Sequence, residues 1–203
     1  MIPETSIGPT TWVQRLWYGL FRLFGWRYAG DLPTDSKYVI VVAPHTSNWD
    51  FIHAFIASRA CPLPFPHWVG KHTLFRGPLG ALLRRVGGIP LDRTASRNFV
   101  QQVDDEFARH ERLIIAMAPE GTRSYTKFWK SGFYYMALGA QVPLYLVALD
   151  YKHRLVALSP RVELSSDPET DMARVQSFYA RYGHGKNPEK QGPVRLRPRV
   201  NKT

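Results

Sequence analysis

The apolar positions form two kinds of run, and their alternation predicts the class of fold. Lys37-Tyr38-Val39-Ile40-Val41-Val42-Ala43 and Leu113 to Ala118 are short, continuous and rich in aliphatic residues. Runs of this kind, apolar at successive positions, read as strands buried on both faces. Pro143 to Leu149 reads the same way, and Arg154 to Leu158 can pair with it as a hairpin. His67 to Gly70 and Gly88 to Leu91 are shorter strand candidates. Helical segments lie between and after them: Asn48 to Ala60, Leu79 to Val86, Ala95 to His110, Lys130 to Ala140 and Asp171 to Tyr182. The proline-rich stretch Cys61 to Pro66 ends the first of these. Strands alternating with helices predict a single α/β domain with a mixed, largely parallel sheet flanked by helices.

One helix stands apart from this alternation. In residues 11–27, Arg15, Gly19 and Arg22 fall on one narrow face of a helical wheel. Trp12, Val13, Leu16, Trp17, Leu20, Phe21, Leu23 and Phe24 cover most of the remainder. A wide apolar arc edged by arginines suits a helix lying in a membrane interface, although the same pattern serves a helix docked on the domain's own core. The chain therefore divides into an N-terminal amphipathic membrane-interface helix at residues 1–30, a catalytic-type domain at 31–184 and a basic tail at 185–203. The tail carries Lys186, Lys190, Arg195, Arg197, Arg199 and Lys202 among prolines and is expected to be mobile. It reads either as a solubilising tail or as a tether to anionic lipid.

Charge sharpens this picture. The 203-residue chain has a formal net charge of +11, which calls for an acidic partner or surface. Nucleic acid and an anionic leaflet are the two obvious candidates. No nucleic-acid-binding motif is present, and the aromatic residues cluster in the first helix, away from the basic tail, so no nucleic-acid partner is expected. No apolar run reaches the roughly 18 residues of a spanning helix, and no signal peptide is recognisable. Cys61 is the only cysteine, so no internal disulfide forms. These features lead to the expectation of a protein at the cytoplasmic face of a membrane.

Candidate chemistry lies at the ends of the predicted strands. His45 and Asp50 are five residues apart. On a continuous helix their side chains would point ~140° apart. They can meet if His45 occupies the loop after the strand and Asp50 the first helical turn. Pro44 stops the strand, Ser47 is a plausible N-cap and Asp50 then takes the capping-box position. Asp50 would accept from one imidazole nitrogen and leave the other as a base: the histidine–carboxylate half of a catalytic triad, with a substrate hydroxyl in place of the serine. The alternative is a helix-capping Asp50 beside a polar loop histidine.

A second turn, Pro119-Glu120-Gly121-Thr122-Arg123-Ser124, also follows a buried strand, where α/β sheets collect ligands. Gly121 permits a tight turn, and Arg123 can grip a phosphate bidentately. A third segment, Gly87 to Arg93, delivers Arg93 at a strand end. No Gly-x-Ser-x-Gly elbow and no His-Glu-x-x-His spacing occurs, which argues against a serine hydrolase and against a metal centre built on His45, Asp50 and His53.

Taken together and in order, these segments resemble the glycerophospholipid acyltransferases of the lysophosphatidic acid acyltransferase-like group. His45 and Asp50 match the family's His-x4-Asp block, and Gly87 to Arg93 its glycine-led strand ending in arginine. Pro119 to Ser124 match its Pro-Glu-Gly-Thr-Arg-Ser turn, and Val142-Pro143-Leu144 its proline-opened strand. Lys71, Lys130 and Gly132 also stand where the family tends to place them. The resemblance covers roughly residues 37–150. Pro44, Pro90 and Ala118 depart from the residues common at their positions.

The resemblance implies transfer of an acyl group from acyl-CoA or acyl-carrier protein to the hydroxyl of a lysophospholipid such as 1-acylglycerol-3-phosphate. Two variants are a different lipid acceptor, and thioester hydrolysis by the same pair. His45 and Asp50 would be catalytic, while Lys71, Arg93, Glu120, Gly121, Thr122 and Arg123 would bind substrate. No metal or organic cofactor is implied. The partners would be the lysophospholipid, the acyl donor and an anionic membrane surface.

Overall fold

A computed structural model describes residues 7–91 and 96–198, without the side chains of residues 71, 91 and 96–100. Seven strands form one sheet: β1 (Arg27–Ala29), β2 (Lys37–Ala43), β3 (His67–Lys71), β4 (Gly88–Leu91), β5 (Leu113–Met117), β6 (Leu144–Asp150) and β7 (Leu155–Leu158). Their spatial order is β1-β7-β6-β2-β5-β3-β4. The five strands from β6 to β4 are mutually parallel; β7 is antiparallel to β6, and β1 runs parallel to β7. The sheet is thus mixed and largely parallel, as the alternation of runs predicts.

The helices are α1 (Trp12–Leu23), α2 (Asn48–Ala60), α3 (Gly77–Arg85), α4 (Ser96–Arg109), α5 (Gly132–Gly139) and α6 (Pro168–Tyr182). Their starts follow local chemistry. Thr11 and Gln14 form a capping box on α1, and Asp167 caps α6 with Pro168 in its first turn. Helix α6 therefore begins three residues before the periodicity alone suggests.

Strand β2 shows how the sheet divides two cores. Val39, Val41 and Ala43 face one side, where Val103 and Phe107 of α4, Phe133 and Met136 of α5, and Val175 and Tyr179 of α6 bury them. Tyr38, Ile40 and Val42 face the other, towards α2 and the short β1. Period-2 alternation splits the strand between two apolar layers, which is why its sequence is apolar throughout. Strand β1 escapes sequence reading because three residues, one of them exposed arginine, carry no periodic signal.

Helix α1 is shorter than residues 11–27, ending where Gly25 turns at a φ of 77°. Phe21 packs into the core and stacks on Tyr28, and Trp17 meets Phe55 of α2 edge-on. Its other face stays open: Trp12 is 73% exposed, Leu16 67% and Leu23 81%. One face of the helix is thus docked on the domain and the other is bare.

Chain beyond α6 runs along the body as far as Pro198. Gly185 N–H donates to Gln191 Oε1, Asn187 donates to the Thr46 carbonyl, and Trp129 N–H donates to the Arg195 carbonyl. The basic residues Lys186, Lys190 and Arg195 belong to this hydrogen-bonded segment.

Candidate active site

Strands β2 and β5 are parallel neighbours, so the loops leaving their carboxyl ends lie side by side. The first loop is Pro44 to Ser47. Ser47 caps α2, and Asp50 closes a capping box by accepting from Ser47 N–H at 2.8 Å. Capping is only part of what Asp50 does. Its Oδ2 also accepts from Thr46 N–H at 2.6 Å and lies 3.3 Å from His45 Nδ1. Its Oδ1 accepts from the Tyr151 hydroxyl at 2.7 Å. Burial pushes this carboxyl's pKa up, but the bonds from His45, Tyr151, Ser47 and Thr46 outweigh it and hold the group below the usual aspartate value.

The Tyr151 hydroxyl has one proton, and Asp50 takes it. The 3.2 Å contact with His53 Nδ1 must then run from an Nδ1–H into the hydroxyl oxygen, which fixes the tautomer of His53 when neutral. His53, Tyr151, Asp50 and His45 form one chain of polar contacts. Tyr151 is the functional-site residue that sequence reasoning misses. It stands alone after β6, and no spacing rule connects it with Asp50, 101 positions upstream.

His45 is poised differently. Its side chain is 28% exposed, and with Nδ1 on Asp50 the Nε2 atom has no hydrogen-bond partner among the described residues. Its backbone N–H donates to Glu120 Oε1 at 3.0 Å, tying the two motifs together. Glu120 is buried, and its Oε2 has no partner among the described residues. Burial drives its pKa up to about 7, against lowering by its own backbone N–H and that of His45.

Gly121 turns the chain at a φ of 62°, and the Lys130 ammonium lies 2.6 Å from where a Cβ would stand. A side chain there would be strained by conformation and by collision. Lys130 N–H also donates to the Pro119 carbonyl. Thr122 and Arg123 are exposed on the same turn, and the Thr122 hydroxyl accepts from Ser124 N–H. Lys71 ends β3, the neighbour of β5 on the side away from β2, so its backbone reaches the same edge of the sheet. Arg93 lies outside the described residues.

Beneath the His45 loop is a cavity of about 260 Å³, walled almost entirely by apolar side chains. It lies between the sheet and α2. Pro44, His45 and Asp50 line one end, and Tyr38 marks the other. Six residues of strand separate Pro44 from Tyr38, a span of roughly 20 Å. Ile40 and Val42 form the sheet wall, and Ala54 and Ala57 the helix wall. The geometry joins an imidazole–carboxylate pair to an apolar cavity.

The pattern of the acyltransferase family matches residues 27–150, more than half of the sequence. The chain belongs to that family. The matched span runs from β1 to the end of β6 and contains His45, Asp50 and Glu120; Tyr151 is the first residue beyond it. Among solved structures, the chain is similar to the 1-acyl-sn-glycerophosphate (LPA) acyltransferase PlsC from Thermotoga maritima. The TM-score is 0.55 at 15% identity, covering 84% of this chain and 77% of that one. At that identity the likeness is one of fold. No curated protein matches the sequence.

Proposed function

We propose that this acyltransferase moves a fatty acyl group from acyl-CoA or acyl-carrier protein to the hydroxyl of a lysophospholipid such as 1-acylglycerol-3-phosphate, at the cytoplasmic face of a membrane. The observation that carries this reading is the His45–Asp50 pair at one end of the apolar cavity. A cavity with almost no polar lining suits an alkyl chain, and the base stands where the chain's carbonyl would emerge.

In this reading the acceptor hydroxyl attacks the thioester carbonyl while His45 Nε2 removes its proton. Asp50 holds the imidazole through Nδ1 and stabilises the imidazolium. Collapse of the tetrahedral intermediate breaks the carbon–sulfur bond, and His45 returns the proton to the leaving thiolate. The products are an ester and a free thiol. No metal or organic cofactor takes part.

Arg123, with Lys71 and Arg93, supplies positive charge for the acceptor's phosphate, on a turn shaped by Gly121 and Thr122. Glu120 anchors the His45 loop of this site by accepting from the His45 backbone N–H. The open face of α1, with Phe51 and Ile52 of α2, gives an apolar surface beside the cavity, edged by Arg15 and Arg22. Among the described residues no helix is long and apolar enough to cross a membrane. An interfacial helix on a chain of charge +11 fits attachment to an anionic leaflet.

The test is product formation from labelled acyl-CoA and a panel of lysophospholipids, with His45→Ala alongside. An acylated lipid whose formation falls by about 10²–10⁴ in the variant is the expected result. Free fatty acid as the sole product would replace transfer by thioester hydrolysis. Undiminished turnover in His45→Ala would remove the proposed base.

A further inference from the structure

A second polar cluster lies where β6 ends, outside the acyl-transfer chemistry. Asp150 is fully buried. His153 Nδ1 lies 2.8 Å from its Oδ2, and His184 Nδ1 lies 2.9 Å from the same oxygen. Oδ1 is occupied separately, accepting from His153 N–H at 3.0 Å. The imidazoles stand nearly perpendicular, at 82°, with centroids 5.3 Å apart. Their side chains are 52% and 35% exposed, so the cluster has a buried carboxylate at its base and an open side towards solvent.

We infer that Asp150, His153 and His184 form a binding site for a divalent first-row transition-metal ion. Two imidazoles and one carboxylate are the donors that zinc, cobalt, nickel and iron(II) favour, whereas magnesium and calcium prefer oxygen alone. The three ligand atoms lie within 4.8 Å of one another. With metal–ligand bonds of about 2.1 Å, separations of 2.8 and 2.9 Å subtend roughly 85° at the ion, close to the edge of an octahedron. Water would fill the remaining positions from the open side. The ion would also supply the countercharge that a buried carboxylate needs.

The site joins parts of the chain that are distant in sequence. Asp150 ends β6, His153 lies in the β6–β7 turn, and His184 follows α6. Tyr151 N–H donates to the His184 carbonyl at 2.9 Å, and the Tyr151 hydroxyl holds Asp50. After His184 the chain passes over Pro44 and Thr46 at Gly185. A bound ion would pin the segment after α6 against the strand that positions the active site. This inference does not rest on the acyl acceptor or donor.

Titration calorimetry of the full chain with zinc and with cobalt, and with magnesium as control, tests it. One saturable site for zinc and cobalt, none for magnesium, and a rise in melting temperature with added zinc are expected. His153→Gln and His184→Gln should each weaken binding by at least about tenfold. His153 is the more exposed ligand, so its variant should fold normally, and its melting temperature without metal serves as the check. Absence of saturable zinc binding overturns the inference. So does zinc affinity that survives both substitutions, which would reveal only a hydrogen-bonded His–Asp–His cluster.

Discussion

Glu120 should make the protein less stable as pH rises, and replacing it with glutamine should remove that penalty. Its carboxyl is buried, Oε2 is unpartnered among the described residues, and burial lifts its pKa from 4.5 to about 7. A raised carboxyl pKa means that between these values the folded state binds more protons than the unfolded state. Stability attributable to this group is therefore greatest at low pH and falls as pH rises to about 7. At ~1.4 kcal/mol per unit, the full penalty is about 3 kcal/mol, most of which accrues between pH 5 and pH 8. Glu120→Gln keeps an oxygen acceptor for His45 N–H but cannot ionise. Urea unfolding of both proteins at several pH values reads the effect. The stability difference, variant minus wild type, should grow by about 2 kcal/mol across that range. A constant offset due to the amide itself would not matter. Parallel stability curves would refute the argument, because they would mean that Glu120 titrates alike folded and unfolded.

Tyr151→Phe should leave Asp50 Oδ1 without its donor, lowering stability by about 1–3 kcal/mol. It should also raise the Asp50 pKa, since a bond to the ionised form is lost, and NMR titration of the carboxyl reads this directly; an unmoved Asp50 titration would deny Tyr151 a positioning role. Arg123→Ala should raise KM for the acceptor more than it lowers kcat, and equal KM values would remove Arg123 from the phosphate site. Serine at Trp12, Leu16 and Leu23 together should weaken sedimentation with anionic vesicles at little cost to folding, since all three are exposed; undiminished binding would move membrane contact elsewhere.

Periodicity was enough to place the main strands and helices, because each buries a face whose spacing is local. Strands β2 and β5 announced themselves by being apolar at consecutive positions, and that is a consequence of lying between two helical layers. The capping box at Ser47 and Asp50 was legible because it closes within one helical turn. The order of the His-x4-Asp and Pro-Glu-Gly-Thr-Arg segments was legible for the same reason, since each is a continuous stretch at a strand end. Strand β1 was not legible, because its pairing with β7 connects residues 27–29 with 155–157 and three residues carry no period.

The relations between those segments belong to the tertiary structure. Nothing local says that the Glu120 side chain turns inward to hold the His45 backbone while Arg123, three residues on, remains exposed. That difference follows from β5 lying beside β2, which puts the first carboxylate of the turn under the neighbouring loop. Tyr151 reaches Asp50 only because β6 flanks β2 on the other side, and the cavity exists only because α2 stands off the Tyr38–Ile40–Val42 face. A sequence determines which residues can make a helix, a strand or a turn, because those choices depend on neighbours in the chain. Which carboxylate is buried, which hydroxyl finds it and which histidine nitrogen is left free depend on neighbours in space, and the packing of the sheet decides them.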